Sequence, residues 1–362
     1  MAGARRSFSD WLLAIDRRIV YLLVLLALAA PLCLAEFAPY TARKLTMKPA
    51  PLRGARQLFD RVERIVRERE ETERAAAERA AGQAMPKVPG ATAPDAPPAP
   101  PVASAPQAGT PQSVPAYHKI VLISADFGPQ TRAELLPMLE CTVRHLMMRR
   151  IKFAIYTNVP DGAGYCKEIP EKLARELGCT YGQDWANFGY KPNGAFLVRQ
   201  MATNIPGGLK TDVNGTNLED DKAVAERLPC MSGVKDAGDV SLVVEITGLV
   251  GLFGQWPAFF ATPTARPDMA HGCTSVSIPD AYSDLESGLI CGLYEGIAGA
   301  ATYNDLLDGI RNPAKDPPVS IDARVHMTAQ TVAHLLIIAF VVLGNFGLLF
   351  NWLAERRRRA GR

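Results

Sequence analysis

Two long hydrophobic segments, one near each end of the chain, constrain this sequence more than any other feature. Residues 19–35 form an uncharged run, and the apolar stretch after Glu36 extends it to residue 40. Residues 327–354 contain no aspartate, glutamate, lysine or arginine. A helix of about 20 apolar residues crosses the hydrocarbon core of a bilayer. We therefore expect transmembrane helices at 19–40 and 327–354, with the lipid bilayer as a partner.

Positive charge flanks the two hydrophobic segments, whereas the sequence between them is acidic. Residues 118–310 contain 16 lysine and arginine residues against 23 aspartate and glutamate residues, a net charge of −7. A nucleic-acid-binding domain carries its positive charge on the folded unit, so we exclude nucleic acid as a partner. The basic N-terminal segment at 1–18 and the basic tail at 355–362 are instead typical of anchors at an anionic membrane surface.

The same arginines predict an orientation in the membrane. The cluster at 356–359 directly follows the second hydrophobic segment. Positively charged flanks favour the cytoplasmic side. With two spans, the sequence predicts a cytoplasmic-membrane protein whose termini are cytoplasmic and whose soluble domain is extracytoplasmic. An alternative is a signal peptide cleaved after Ala35, which also exports the domain.

Composition divides the rest of the chain into a stalk, linkers and one domain. Apolar residues recur at helical spacing in the first half of 52–81, and the second half is highly charged. Residues 86–116 are rich in proline, alanine and serine, a composition typical of a disordered linker. The predicted segments are a juxtamembrane helix or stalk at 41–85, a Pro/Ala linker at 86–117, a soluble domain at 118–310 and a second linker at 311–326.

Apolar runs and amphipathic segments alternate through the soluble domain. The runs predict strands at 119–125, 151–157, 241–247 and 273–279. The amphipathic segments predict helices at 132–150, 168–178 and 194–205. Uninterrupted apolar runs are typical of buried parallel strands. The fold class expected is therefore α/β, with a mainly parallel, Rossmann-like sheet flanked by one transmembrane helix at each end.

Polar residues near the predicted strand ends and helix starts are the candidates for binding a ligand. In open parallel sheets, ligands bind beyond the carboxyl ends of the strands. The candidate set is Asp126, Thr131, Arg132, Glu134, Lys191, Asp212 and Thr216. An alternative for Thr131 and Glu134 is a helix-capping box, because T-R-A-E has the spacing of that motif.

Familiar catalytic and cofactor motifs do not accompany these candidates. Gly248, Gly251 and Gly254 follow a predicted strand, but their spacing is not G-x-G-x-x-G, and close helix packing explains them equally well. His271 and Cys273 have no further ligand nearby, so no metal site is expected, and the cofactor stays unknown. Cys166 with Cys179 is one possible disulfide, and buried free thiols are the alternative.

Two further groups of residues predict helix packing. Gly288, Gly292, Gly296 and Gly299 recur at nearly every fourth position, which on one helix leaves a bare face for close approach. Gln330, His334 and Asn345 interrupt the second hydrophobic segment. Polar groups within a bilayer favour the surface of another helix over lipid. We expect these residues to contact a partner membrane protein or a second copy of the chain.

Several segments together resemble a family of uncharacterised prokaryotic membrane proteins with two transmembrane helices and a Rossmann-like soluble domain. The similarity covers nearly the whole chain except about 60–116. The segments are IDRRIVYLL at 15–23, DFGPQTRAELLPM at 126–138, GYKPNGA at 189–195, TDVNGT at 211–216, GCTSVSIPDAY at 272–282, SGLICGLYEGIAGAATY at 287–303 and AQTVAHLLIIAFVVLGN at 329–345. The resemblance implies this layout and no particular activity. Cysteines are sparser in the relatives, which argues against structural disulfides.

These observations lead to two hypotheses about function. The first is a binding or interaction subunit, in which a Rossmann-like domain is held at the membrane and the spans dock on a partner membrane protein. The second is a membrane-tethered enzyme that acts on a small polar or phosphorylated substrate at the strand ends. The absence of an assembled nucleophile, metal or dinucleotide motif favours the first hypothesis.

Overall fold

A six-stranded, all-parallel sheet forms the centre of the molecule. The computed structural model describes residues 17–83, 117–249 and 251–360, so nearly all of the predicted linker at 86–117 lies outside the described residues. The strands are β1 Ile120–Asp126, β2 Phe153–Thr157, β3 Trp185–Tyr190, β4 Val240–Thr247, β5 Asp268–Cys273 and β6 Gly292–Glu295. Their order in the sheet is β3-β2-β1-β4-β5-β6. This is the doubly wound order, which reverses direction between β1 and β4. The α/β, Rossmann-like fold class is thereby confirmed.

Helices cover both faces of the sheet. They are α1 Arg17–Phe37, α2 Pro39–Leu45, α3 Arg53–Gln83, α4 Arg132–Met148, α5 Gly162–Leu177, α6 Gly194–Thr203, α7 Ile205–Leu209, α8 Asp221–Arg227, α9 Gln255–Phe259, α10 Ile278–Glu286, α11 Gly296–Ile310 and α12 Asp322–Ala360. One apolar core joins α3, α4, α5 and α11 to the first face. A second core packs the helices α6 through α10 against the opposite face. Every residue of β1 and β4 is buried, because both faces of these central strands are covered.

The strands predicted at 119–125, 151–157 and 241–247 are confirmed as β1, β2 and β4, and the three predicted helices as α4, α5 and α6. The prediction of a strand at 273–279 is wrong. Strand β5 ends where the predicted strand begins, and residues 275–277 form a single 3-10 turn. Pro279 then lies in the first turn of α10, a position that suits its fixed φ and its missing N–H.

The first half of the helix that the sequence predicts as a stalk packs against the edge of the sheet. Leu58, Val62 and Ile65 of α3 are fully buried against the first core. At the start of α3, the carboxylate of Glu295 accepts hydrogen bonds from the backbone N–H groups of Gly54, at 2.9 Å, and Ala55, at 3.2 Å. These amides have no partner within the helix, so a carboxylate from the end of β6 caps it. Helix α3 is therefore an integral layer of the domain.

A buried polar cluster joins α3 to α4. Glu63 Oε1 lies 2.7 Å from His145 Nε2, and Arg149 donates to both carboxylate oxygens at 2.7 and 3.0 Å. Burial alone would raise the pKa of Glu63, but the hydrogen bonds and charges of His145 and Arg149 outweigh it and lower the pKa to about 2. Burial lowers the pKa of His145, so its neutral ring donates from Nε2 and accepts from Tyr303 at Nδ1.

We expect Glu63→Gln to lower the free energy of unfolding by about 2 kcal/mol at pH 7, since it removes charge-assisted hydrogen bonds and leaves Arg149 without its carboxylate. The folded pKa of about 2 lies below the ordinary value of 4.5, so this stabilisation is present above pH 4.5 and is lost as pH falls toward 2. Urea unfolding of the full chain in detergent measures the difference. Glu70→Gln, on the exposed side of α3, is the control. An equal loss in both variants would contradict the prediction.

Two helices are long and apolar enough to cross a membrane, at Arg18–Phe37 in α1 and Asp322–Phe350 in α12. They pack along each other. The first turns of α12 belong to the domain, because Ala323 lies in the first core and Thr328 accepts a hydrogen bond from the Met47 N–H at 3.0 Å. Helix α12 therefore runs without interruption from the domain core into its apolar stretch.

Candidate functional site

Polar side chains converge on one face of the sheet near its carboxyl edge. Side chains alternate between faces along a strand, so Ser124 and Asp126 of β1 share the second face with Glu245 of β4 and His271 of β5. In the strand register Glu245 pairs with Ser124 on one side and with His271 on the other. A row of polar groups thus crosses the three central strands inside an otherwise apolar layer.

Asp126 is fully buried and engaged entirely by its own surroundings. Its carboxylate accepts hydrogen bonds from Ser124 Oγ at 2.5 Å, Thr157 Oγ1 at 3.3 Å and the side-chain amide of Asn158 at 3.1 Å, and also from the Asn158 backbone N–H. Burial raises the pKa of Asp126. This predicted ligand residue ties the end of β1 to the end of β2, and its side chain has no exposure to a ligand.

Glu245 and His271 form an unusual buried pair. Glu245 is fully buried, and neither of its carboxylate oxygens has a hydrogen-bond partner in the described part of the chain. The nearest basic group is His271 Nδ1, 3.7 Å from Oε2. This separation is beyond hydrogen-bond distance. Burial, and then the charge of Asp126, raises the pKa of Glu245, while burial lowers the pKa of His271 to about 4. Burial therefore disfavours the charged form of both groups.

A cleft of about 300 Å³ lies between the loop after β4 and helix α10, and His271 of this pair is one of its lining residues. We call it the carboxyl-edge cleft; its polar lining is Thr247, His271, Ser277, Asp280 and Asp284. Burial, and then the charge of Asp280, raises the pKa of Asp284. No lysine or arginine lines this cleft among the described residues, so its electrostatic character is acidic.

The glycine-rich turn after β4 contributes packing and curvature. A Cβ on Gly248 would lie 2.7 Å from Thr131 Cγ2, so the absence of a side chain lets the loops after β1 and β4 meet. Gly251 has φ of +81°, a conformation that favours glycine. The following helix α9 has only five residues, too short to offer the dipole of a phosphate-binding helix. Close packing is thus the better account of this turn.

Thr131 and Glu134 do not form the capping box that their spacing suggested, and that interpretation is wrong. The Thr131 side chain makes no capping hydrogen bond. Glu134 turns away from its own helix, because its carboxylate accepts from the backbone N–H and the hydroxyl of Ser275, at 2.8 and 2.9 Å. Arg132 lies over the ring of Tyr165, 5.8 Å from the centroid. These residues brace the loops at the carboxyl edge.

Lys191, Asp212 and Thr216 lie close together beside β3. Asp212 accepts hydrogen bonds from the Thr216 N–H and the Tyr181 hydroxyl, both at 2.7 Å. Lys191 Nζ donates to the Thr211 carbonyl at 2.8 Å. Burial lowers the pKa of Lys191. The Asp126 carboxylate is engaged elsewhere and shares no hydrogen bond with Lys191, Asp212 or Thr216 in the described part of the chain.

The predicted glycine ladder does not lie on one helix. Gly288 is in a turn, Gly292 is in β6, Gly296 begins α11, and Gly299 lies within that helix. The prediction of a bare helical face is therefore wrong, because the segment passes from a turn into a strand and then into a helix within these residues. Gly292 nevertheless serves close packing, since it faces the backbone of Leu58 in α3.

In α12, Gln330, His334 and Asn345 are all exposed on the surface of the molecule. The side-chain amide of Asn345 donates to the Val341 carbonyl one turn earlier, at 2.9 Å, which satisfies one of its hydrogens. Less exposed residues of α1 recur every three or four positions, among them Val24, Ala27, Pro31 and Leu34. The three polar residues of α12 therefore stay available to a partner outside the chain.

Within the described part of the chain, no group of three or more histidine, cysteine, aspartate or glutamate side chains could hold a metal ion. All seven cysteines are free thiols, so Cys166 and Cys179 are not paired. No family model, curated protein or solved structure matches the chain.

Proposed function

We propose that this chain is a membrane-held binding subunit whose α/β domain binds a small cationic or polyhydroxylated molecule in the carboxyl-edge cleft. The observation that carries the proposal is Glu245, a fully buried carboxyl that has no hydrogen-bond partner within the described part of the chain and lies beside His271 of the cleft lining. An unsatisfied buried polar group costs about 1–3 kcal/mol. Such a cost concentrated beside a cleft at the carboxyl edge is typical of a binding site.

The charges of the cleft support this class of ligand. Asp280 and Asp284 lie at its side, and hydroxyl groups are offered by Thr247 and Ser277. Carboxylates accept hydrogen bonds from ammonium and hydroxyl groups, and they repel phosphate. The cleft therefore argues against a phosphorylated ligand. His271, with its pKa of about 4 and its Nδ1 toward Glu245, is better suited to orient a ligand than to accept a proton at neutral pH.

The apolar helices α1 and α12 support a location in the cytoplasmic membrane, with the arginine cluster in the cytoplasm and the domain outside. This placement is the one that the positive-inside rule favours. The exposed Gln330 and His334 are separated by one helical turn. Interhelical hydrogen bonds to such groups contribute about 0.6–2 kcal/mol. We propose a second membrane helix, from a partner or from another copy of the chain, as their neighbour. The layout agrees with the two-span prokaryotic family that the sequence resembles.

The test measures thermal unfolding of the full chain in mild detergent with three panels of ligands. Putrescine, spermidine and arginine are the cations, glucose and inositol are the polyols, and glucose 6-phosphate is the anion. We expect a cation or polyol at saturation to raise the Tm by about 5 °C. The double variant Asp280→Asn, Asp284→Asn should abolish the rise. Asp60→Asn, an exposed carboxylate on α3, should leave it unchanged.

The proposal fails if no cation or polyol raises the Tm, or if the rise persists in the double variant. A rise produced by glucose 6-phosphate and by no other compound would favour the enzyme hypothesis with a phosphorylated substrate. The unliganded variants give the reference Tm, so a general loss of stability is separated from a loss of binding.

A further inference from the structure

A second and larger cleft lies where the domain meets the two apolar helices. It measures about 800 Å³, and we call it the interface cleft. Its walls come from the end of α1 with the start of α2, from the start of α12, and from α4 and α5 of the domain. The residues that the argument uses are Leu32, Glu36, Arg144, Lys172, Asp322 and Val325. In a membrane, this cleft would lie at the level of the lipid headgroups, because both apolar stretches end beside it.

The domain side of the interface cleft carries its lysine and arginine side chains, Lys172 and Arg144, which pair with Glu140 and Glu176; we call it the basic pole. The Arg144 side chain is only 3% exposed, and its Nη2 lies 2.9 Å from Glu176 and 3.5 Å from Glu140. Its Nε and Nη1 have no acceptor among the described residues. Lys172 extends to Glu140 at 3.4 Å and stays half exposed. Two nitrogens of this buried guanidinium therefore lack acceptors, and each buried donor without an acceptor costs free energy.

The membrane side of the interface cleft is an acidic pole. Glu36, near the end of α1, and Asp322, at the start of α12, are both exposed. Neither carboxylate is engaged by a hydrogen bond or an ion pair in the described part of the chain. Across the whole lining, four carboxylates face two basic side chains. A ligand with a net negative charge is therefore disfavoured, whereas one with a separated positive and negative charge matches both poles.

An apolar wall connects the acidic pole to the lipid-facing side of α1. Leu32 is 41% exposed, and Val325 lies opposite it on α12. Acyl chains leaving the cleft would run along this wall, where burial of each methylene group contributes about 0.8 kcal/mol. A purely water-soluble ligand would leave this wall unused.

We propose that the interface cleft binds the headgroup of phosphatidylethanolamine. Arg144 and Lys172 bind the phosphate, which supplies the acceptors that the guanidinium lacks. Glu36 and Asp322 accept hydrogen bonds from the N–H groups of the ammonium. A choline headgroup cannot replace it, because its quaternary nitrogen carries no N–H. The acyl chains lie along Leu32. This inference concerns a different site from the carboxyl-edge cleft, and it rests on the membrane placement in the proposed function.

The test is native mass spectrometry of the full chain, released from mild detergent after addition of phosphatidylethanolamine, phosphatidylcholine or phosphatidylglycerol. We expect phosphatidylethanolamine to bind at least about tenfold more tightly than the other two, the effect of one or two charge-assisted hydrogen bonds. The double variant Glu36→Gln, Asp322→Asn should remove this preference. Lys172→Gln should weaken the binding of all three lipids.

Control variants and a soluble competitor make the outcomes decisive. Glu226→Gln, an exposed change on α8, and the Asp280→Asn, Asp284→Asn variant should both keep the lipid preference. Equal binding of phosphatidylcholine, or an unchanged preference in the Glu36→Gln, Asp322→Asn variant, would overturn the proposal. Full competition by glycerophosphoethanolamine, which has the headgroup without acyl chains, would also overturn it in favour of a soluble ligand. If the chain fractionates without membranes, the membrane placement itself fails.

Discussion

Replacing Gly292 by alanine should lower the free energy of unfolding by about 3 kcal/mol, because helix α3 passes directly over this strand residue. A Cβ at position 292 would lie 2.5 Å from Leu58 Cβ and 2.6 Å from the Leu58 backbone N and Cα. Real Cβ atoms do not approach backbone this closely, and the backbone of a buried helix has little freedom to yield. The added methyl group must therefore lift α3 from the sheet edge.

Urea unfolding of the full chain measures this loss through the fluorescence of its tryptophans. Gly309→Ala is the matched control, since position 309 lies in α11 with no atom within 4 Å of the added Cβ. There the same change should be neutral or stabilising by up to about 1 kcal/mol, from the helix propensity of alanine. Equal stability of the two variants would show that α3 is held less tightly than its contacts indicate.

The stability of the wild-type domain should fall as pH rises above 4.5 toward the raised folded pKa of Glu245, and Glu245→Gln should remove most of that fall. Burial and then the charge of Asp126 raise the folded pKa of Glu245 above its ordinary value of 4.5. A raised carboxyl pKa stabilises the fold below pH 4.5, and this contribution is lost as pH rises toward the folded pKa. A single group imposes a slope of at most about 1.4 kcal/mol per pH unit.

His271 imposes the opposite pH dependence, which keeps the two residues separable. Its folded pKa of about 4 lies below the ordinary 6.5, so it destabilises the fold only as pH falls below 6.5. Asp126 has a raised pKa as well and would leave part of the slope in the variant. Denaturant unfolding at three pH values, with Glu226→Gln as the control, measures the effect. An identical slope in wild type and Glu245→Gln would rule out Glu245 as its source.

The central strands could be predicted from the sequence because burial on both faces demands an uninterrupted apolar run. Strand β3 escaped prediction, since it lies at the sheet edge and contains Asn187 and Gly189. Strand β6 escaped because its four residues lie among glycines at helical spacing. Those glycines serve tertiary packing, as Gly292 does under α3. Periodicity alone does not distinguish glycines along one face of a helix from glycines that pack separate elements together.

The candidate site was harder to predict than the fold. Local hydrogen bonds account for the predicted residues around Asp126 and Asp212, whereas no sequence pattern brings Glu245 and His271 together. Their proximity depends on the pairing of β4 with β5, and that register is not encoded in either segment alone. One signal was present, a charged residue within the apolar run VVEIT. A carboxylate at such a position is rarely buried without a functional reason.

The continuity of α12 gives the molecule the properties of a lever. The helix has 39 residues and contains no proline. At a rise of about 1.5 Å per residue it forms a rod about 58 Å long. One end is clamped in the domain core by Ala323 and the other carries the terminal arginines. A tilt of about 10° at the clamped end would sweep the far end through roughly 10 Å. Any tilt of the domain is thereby transmitted to the far end of this helix, because the helix contains no proline that would kink it.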